Sequence, residues 1–190
     1  MIANIKKKRI IFFLPNFSRG GASESIVKLS KFLKNHNYSI LVISIGKNYY
    51  KKELEKNHCD VIEIKSKRAF FSIFKLRNLI KKEINKNFLK TIFISNIHYA
   101  NVISMISCFK LKKIKVILTE RSSITELNIN NNYLKYLKNK LIFFLAKYLY
   151  RYSDLIITNS NFEKKFIKNT FKVKNIKFIN PPSINFVKIT

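Results

Sequence analysis

The sequence predicts an α/β fold: a doubly wound, Rossmann-like parallel sheet of about seven strands with helices on both faces. Three observations carry it. Short runs of Ile, Val, Leu and Phe recur without alternation, as strands buried on both faces of a parallel sheet do. Segments with helical spacing separate these runs, so consecutive strands need crossover connections. The stretch Arg9–Ala22, RIIFFLPNFSRGGA, runs from an apolar strand through two adjacent glycines into a helix start. That helix start aims free backbone N–H groups at one place above the sheet, which suits a phosphate or another anion.

The first strand is Ile10–Leu14, and Pro15 ends it because proline cannot donate to a central ladder. Gly20 and Gly21 allow a tight turn and a close approach to a ligand; a turn needing positive φ is the alternative reading. A helix from about Ala22 to Asn35 keeps Ala22, Ile26, Leu29 and Leu33 on one face, with Lys28, Lys31 and Lys34 solvated. His36 is a turn residue, and Ser39–Ser44 is the second strand. A short polar helix, Tyr49–Asn57, leads to a strand at Asp60–Ile64. A helix over Ala69–Lys86 carries Phe70, Ile73, Phe74, Arg77 and Ile84.

The strand Thr91–Ser95 ends in the loop Asn96-Ile97-His98, and Ala100–Phe109 is a helix. The strand Lys115–Thr119 runs into Glu120-Arg121-Ser122-Ser123, and a polar loop follows from Thr125 to Asn132. A long helix spans Tyr133–Tyr152. The strand Asp154–Thr158, the loop Asn159-Ser160, a helix over Phe162–Thr170 and the strand Ile176–Ile179 complete the pattern. Pro181-Pro182 breaks it, so residues 1–180 read as one domain and 181–190 as the start of a hinge or tail.

With 190 residues and 47% apolar content, the chain holds one sizeable domain and is not a disordered one. Cys59 and Cys108 have no metal-ligand or redox spacing and read as buried, reduced thiols of a cytoplasmic protein. No signal peptide is visible, and the longest apolar runs fall far short of the roughly 20 residues a bilayer span needs. The net charge of +28 has two sources in view. A genome rich in A and T inflates Lys, Asn, Ile and Phe together; attraction to a polyanion, either an anionic membrane leaflet or nucleic acid, is the other.

Several function classes fail on the residues. The glycine loop lacks G-x-G-x-x-G spacing, and the second strand ends in Ser44-Ile45-Gly46, with no acid to hold a ribose. The G-x-x-x-x-G-K-[ST] pattern is absent, and no His, Cys and carboxylate set is spaced for zinc. Neither a redox nucleotide cofactor nor a metal is expected.

Four stretches, in order, resemble the N-terminal half of family-4 glycosyltransferases, enzymes of the two-domain GT-B fold. They are the strand-P-x-x-x-x-GGA opening; T-E-R-S-S at Thr119–Ser123; Y-R-Y-S-D-L-I-I-T-N-S at Tyr150–Ser160; and K-F-I-N-P-P at Lys177–Pro182, which resembles the run into the interdomain hinge. The resemblance implies transfer of a sugar from a nucleotide-sugar co-substrate to a lipid-linked or cell-envelope glycan, by direct displacement and without a metal. In such enzymes this domain holds the acceptor and the second domain the donor. The second domain's E-x7-E motif has no counterpart here, so a separate C-terminal donor domain is an expected partner, and this chain alone is not expected to transfer sugar.

Open parallel sheets bind ligands at the C-terminal ends of their strands. The candidate catalytic residues there are His98, as a base toward an acceptor hydroxyl, with Glu120 and Arg121. Candidate substrate contacts are Gly20, Gly21, Asn96, Ser122, Asn159 and Ser160. The plainer readings are a polar loop residue for His98, a surface ion pair for Glu120 and Arg121, and helix N-caps for Asn159 and Ser160.

On the long helix, Leu134, Leu137, Leu141, Leu145 and Tyr148 form the expected core stripe. Tyr136, Phe143 and Tyr150, interleaved with Lys140, Lys147 and Arg151, form the opposite face and suit an anionic membrane interface. Packing against another helix or domain is the alternative. The expected location is therefore cytoplasmic, peripheral on the inner face of the cytoplasmic membrane. Two readings from other classes remain: a non-catalytic remnant or subunit that binds membrane or acceptor only, and a basic nucleic-acid binder, for which no recognition motif is present.

Overall fold

The computed structural model describes residues 7–66, 69–86, 88–128 and 133–180. The strands are β1 (Lys8–Phe13), β2 (Ser39–Ile45), β3 (Asp60–Ile64), β4 (Lys90–Asn96), β5 (Ile114–Glu120), β6 (Leu155–Thr158) and β7 (Ile176–Phe178). All pair in parallel, in the order β3-β2-β1-β4-β5-β6-β7. The chain winds outward from β1 to β3, returns to β4 beside β1, then winds the other way to β7. The direction switches between β1 and β4, where an open α/β sheet forms its ligand crevice.

The helices are α1 (Gly21–Asn35), α2 (Lys51–Lys56), α3 (Ile73–Ile84), α4 (His98–Cys108), α5 (Tyr133–Leu149) and α6 (Asn161–Phe171). Right-handed crossovers put α1 and α2 on one face and α3 to α6 on the other. The packing agrees. Phe12, Val42, Ile26 and Leu54 belong to one buried cluster, while Phe13, Leu76, Ile103, Ala146 and Ile167 belong to a second, larger one. Covered on both sides, Ile10 to Phe13 is buried throughout, which explains its unbroken apolar run. Cys59 and Cys108 are buried free thiols, and burial pushes Cys108 up to about 12.

Some boundaries move. Asn96 is the last residue of β4 rather than a loop residue, and α4 opens on His98. A 3-10 turn at Ala69–Ser72 precedes α3, and another at Tyr150–Tyr152 follows α5. The hinge residues 181–190, including Pro181 and Pro182, lie outside the described residues, as does the loop segment 129–132.

One expectation is inverted. Leu134, Leu137, Leu141 and Tyr148, expected in the core, are exposed. Tyr150, expected at a membrane interface, is fully buried, and Phe143 and Tyr136 are half-buried. The cause is packing. α5 lies between α4 and α6, and it approaches them through Ile142 and the small Ala146, while Phe143 and Tyr150 set their rings edge-on to Phe171. Both stripes are apolar, so periodicity alone could not choose between them.

At the N-terminal end of the sheet a buried Arg9 ties four elements together. Its guanidinium meets Glu83 of α3 at 2.9 Å, Asp60 of β3 at 2.7 Å and the Ser39 hydroxyl of β2 at 2.6 Å. Replacing Arg9 with Met leaves the buried Glu83 with only the half-exposed Lys86, whose Nζ lies 2.5 Å from Oε1, and takes the charge-assisted bonds from Asp60 and Ser39. The expected cost is about 1.5–3 kcal/mol, seen as a lower urea midpoint with an unchanged slope. A loss below about 1 kcal/mol, the range of an exposed pair, would show that the clasp is not structural.

Candidate active site

Strand order alone gathers the candidates: β1, β4, β5 and β6 are four consecutive strands of the sheet, and their C-terminal ends share one edge. After β1, Gly20 is the N-cap of α1 with φ 151°, a conformation that L side chains rarely adopt. Gly21 has no such need. A Cβ at either position would meet nothing within 4 Å, and both residues are exposed. The turn explanation therefore covers Gly20 and leaves Gly21 unexplained by conformation.

After β4 the backbone is strained. Ile97 holds φ 72° and ψ 143°, costly for a β-branched residue, on the order of 1–3 kcal/mol. Two hydrogen bonds fix it: its N–H donates to the Thr119 carbonyl at 3.0 Å, and its carbonyl accepts from the Asn101 N–H at 2.9 Å. This turn starts α4 at His98 and places the imidazole over the end of β5.

There lies Glu120, with 1% exposure. Its Oε1 accepts from the Tyr150 hydroxyl and from Asn101 Nδ2, the latter at 2.8 Å. Its Oε2 is 3.9 Å from His98 Nδ1. Burial pushes the Glu120 carboxyl up to about 8, outweighing the hydrogen bonds from Tyr150 and Asn101 that pull it down. Burial also holds Tyr150 well above its ordinary value. With the carboxyl at about 8, the protonated form of Glu120 predominates at pH 7. Because Oε1 takes both donors, the proton belongs on Oε2, facing the imidazole.

The surroundings are incompletely satisfied. Asn96 Nδ2, Asn101 Oδ1 and Glu120 Oε2 are buried and have no hydrogen-bond partner among the described residues. Asn96 receives the Thr119 hydroxyl at 2.7 Å on its other atom. Three such atoms in one corner of a sheet edge call for a ligand hydroxyl or an ordered water.

The loop after β5 is held from β6 and α6. Asn159 Nδ2 donates to the Arg121 carbonyl at 2.7 Å, and Ser160 caps α6 by accepting from the Glu163 N–H at 3.0 Å. The buried Glu163 carboxylate accepts from the Ser123 hydroxyl at 2.9 Å and the Ile124 N–H at 3.0 Å. Arg121 and Ser122 are half-buried, and burial lowers the Arg121 guanidinium. Glu120 and Arg121 do not form the surface pair that was the plainer reading; the carboxyl points inward instead.

Asn101, Tyr150 and Glu163 were not recognised as part of this site from the sequence. Glu163 had a signal, the Ser160-x-x-Glu163 spacing of a capping box, although its carboxylate reaches across to the β5 loop instead. Asn101 had only its polarity on a largely apolar helix.

Residues 19–182 match the family model described as Glycosyltransferase Family 4. The chain belongs to that family. No curated protein matches the chain. A glycosyltransferase from Rickettsia africae superposes with a TM-score of 0.61 at 23% identity, covering 92% of this chain and 43% of that one. Anabaena HepE, solved with UDP-glucose, gives 0.64 at 16% identity, with 90% and 43% covered. Medicago truncatula UGT71G1, also solved with UDP-glucose, gives 0.60 at 14% identity, with 92% and 52% covered. The fold is that of one half of a GT-B glycosyltransferase, and this family-4 chain spans less than half the length of the first two. Among the described residues no His, Cys, Asp and Glu cluster is arranged to hold a metal ion.

The buried acid leaves a signature in stability. The carboxyl's folded value of about 8 exceeds the ordinary 4.5 expected when unfolded, so its contribution is full below the lower value and is lost as pH rises through the upper one. Glu120→Gln keeps an acceptor for Tyr150 and Asn101 but cannot ionise. The melting temperature of the parent should fall relative to Glu120→Gln as pH rises from about 5 to about 8. Parallel curves would mean that Glu120 does not hold a proton in the folded protein.

Proposed function

We propose that this chain is the acceptor-side half of a glycosyltransferase, which moves a sugar from a nucleotide-sugar to a hydroxyl of a lipid-linked or cell-envelope glycan. The observation that carries the proposal is the meeting of His98, the buried Glu120 and three unsatisfied polar atoms at the sheet edge beside Gly20 and Gly21. Family membership and the UDP-glucose bound by HepE support the donor class. Two buried free thiols fit a reducing cytoplasm.

In this reading the acceptor hydroxyl lies against His98, with its neighbouring hydroxyls on Asn96 and Asn101. Its oxygen bonds to the anomeric carbon, the bond from that carbon to the phosphate oxygen breaks, and the nucleoside diphosphate leaves with the electron pair. The proton passes to Nε2 of His98. The exposed Gly21 and the N-terminus of α1 receive the diphosphate, with no Cβ to hold it off. Arg121 and Ser122 line the same edge, and Asn159 and Ser160 hold it in place. A C-terminal donor domain, on the same or another chain, supplies the nucleoside contacts.

The state of Glu120 controls His98. A neutral Glu120 gives its proton toward Nδ1, which leaves Nε2 protonated and unable to act as a base. Once ionised, Glu120 accepts from Nδ1–H and frees the Nε2 lone pair. Closing the 3.9 Å gap to hydrogen-bond length takes about 1 Å, a tightening that substrate binding can supply.

The protein should be isolated from its own cells with any donor domain that accompanies it, and label transfer from nucleotide-sugars to envelope lipid and glycan measured. Transfer is expected, with kcat/KM rising through a pH of about 8. His98→Ala should lower kcat about 100-fold or more. Gly21→Ala should raise KM for the nucleotide-sugar without loss of stability. A lone 22.5 kDa species that binds acceptor but transfers nothing would establish the non-catalytic reading instead.

A further inference from the structure

We propose that the outer face of α5 is a docking surface for an anionic lipid bilayer. Leu134, Leu137, Leu141, Phe144 and Tyr148 follow one another at three- and four-residue steps and form one line about 21 Å long, at about 1.5 Å per residue. Their exposures are 77, 44, 58, 55 and 47%. The core-facing side of the same helix carries the buried Ile142 and Ala146, nearly opposite on the helical wheel. α5 is thus apolar on two faces, and no described element covers the outer one.

The charges beside this strip select its occupant. Helical geometry sets Lys138 along one flank, and Lys140, Lys147 and Arg151 along the other. Rings hold three of them: Lys138 lies 4.9 Å from the centre of Tyr99, Lys140 5.7 Å from Tyr136, and Arg151 5.4 Å from Tyr148. An apolar strip with a row of cations on one flank and Lys138 on the other fits a helix lying in a bilayer interface, with leucines and rings among the upper acyl chains and cations on lipid phosphates. A second copy would bring its own flanking cations against these, on a chain already at +28. Nucleic acid would use the cations and leave the leucines without a partner.

The two apolar stripes therefore exchange the roles expected from the sequence, while Lys140, Lys147 and Arg151 stay at the interface. α5 begins at the same sheet edge as His98, because it follows β5. If the transferase reading holds, a lipid-borne acceptor meets the cleft without leaving the membrane; the docking itself does not depend on that reading.

The chain contains no tryptophan, so Leu141→Trp gives a single fluorescent reporter. With the full chain, its emission should shift to the blue on adding phosphatidylglycerol vesicles and stay unchanged with phosphatidylcholine vesicles. In co-sedimentation with the anionic vesicles, Leu137→Glu with Leu141→Glu should weaken binding about tenfold or more. Lys28→Gln with Lys31→Gln on α1, which lowers the net charge by the same amount, should weaken it much less. Thermal melts confirm that each variant is folded. Equal losses in both pairs would mean diffuse attraction to the whole basic surface and would overturn the proposal. So would an unshifted reporter, or a dimer that dissociates on Leu137→Glu.

Discussion

A carboxyl group buried without a cation constrains much of this domain. Glu120 ends the sheet strand that faces α4 and α5, and it stays there only because Tyr150 and Asn101 both donate to it. A buried charge without a partner costs several kcal/mol, so the group keeps its proton and two elements must point donors at it. Asn101 fixes the start of α4 and hence the place of His98. Tyr150 must face inward, and the turn that carries it continues α5. With Tyr150 and Ala146 turned toward the core, the leucine line has nowhere to go but outward. One buried acid thus links the candidate chemistry to the outer surface of the domain.

The two ends of the sheet are built differently. At the N-terminal end, Arg9 joins β1, β2, β3 and α3 through short, charge-assisted contacts that leave its guanidinium satisfied. At the C-terminal end stand a strained Ile97, an acid that favours its neutral form and three buried polar atoms with no hydrogen-bond partner among the described residues. Local rules are obeyed at one end and broken at the other, as expected where a ligand completes the structure.

Much of this was legible in the residues. Continuous apolar runs such as Ile10 to Phe13 need cover on both faces, and only a parallel sheet with crossover helices provides it. His98, Glu120 and the glycine pair could be placed because strand ends are where such a sheet binds. The illegible parts have physical causes. Nothing in an isoleucine announces the positive φ of Ile97, which is imposed by a hydrogen bond to the Thr119 carbonyl and one from the Asn101 N–H. The direction of Glu120 depends on a tyrosine 30 positions away. The face of α5 was misread because two stripes of similar hydrophobicity compete, and the decision rests on a small Ala146 and on one buried hydroxyl.

The measurement that tests this account most directly is the titration of the Glu120 carboxyl itself. Carbon-13 NMR on glutamate-labelled protein, with Glu120→Gln to assign the resonance, reads the protonation of that one group. The account predicts a midpoint at about 8, far from the ordinary 4.5. A midpoint at the ordinary value would mean that Glu120 is ionised in the folded protein at neutral pH. The proton assigned to Oε2, and its control over His98, would then be wrong.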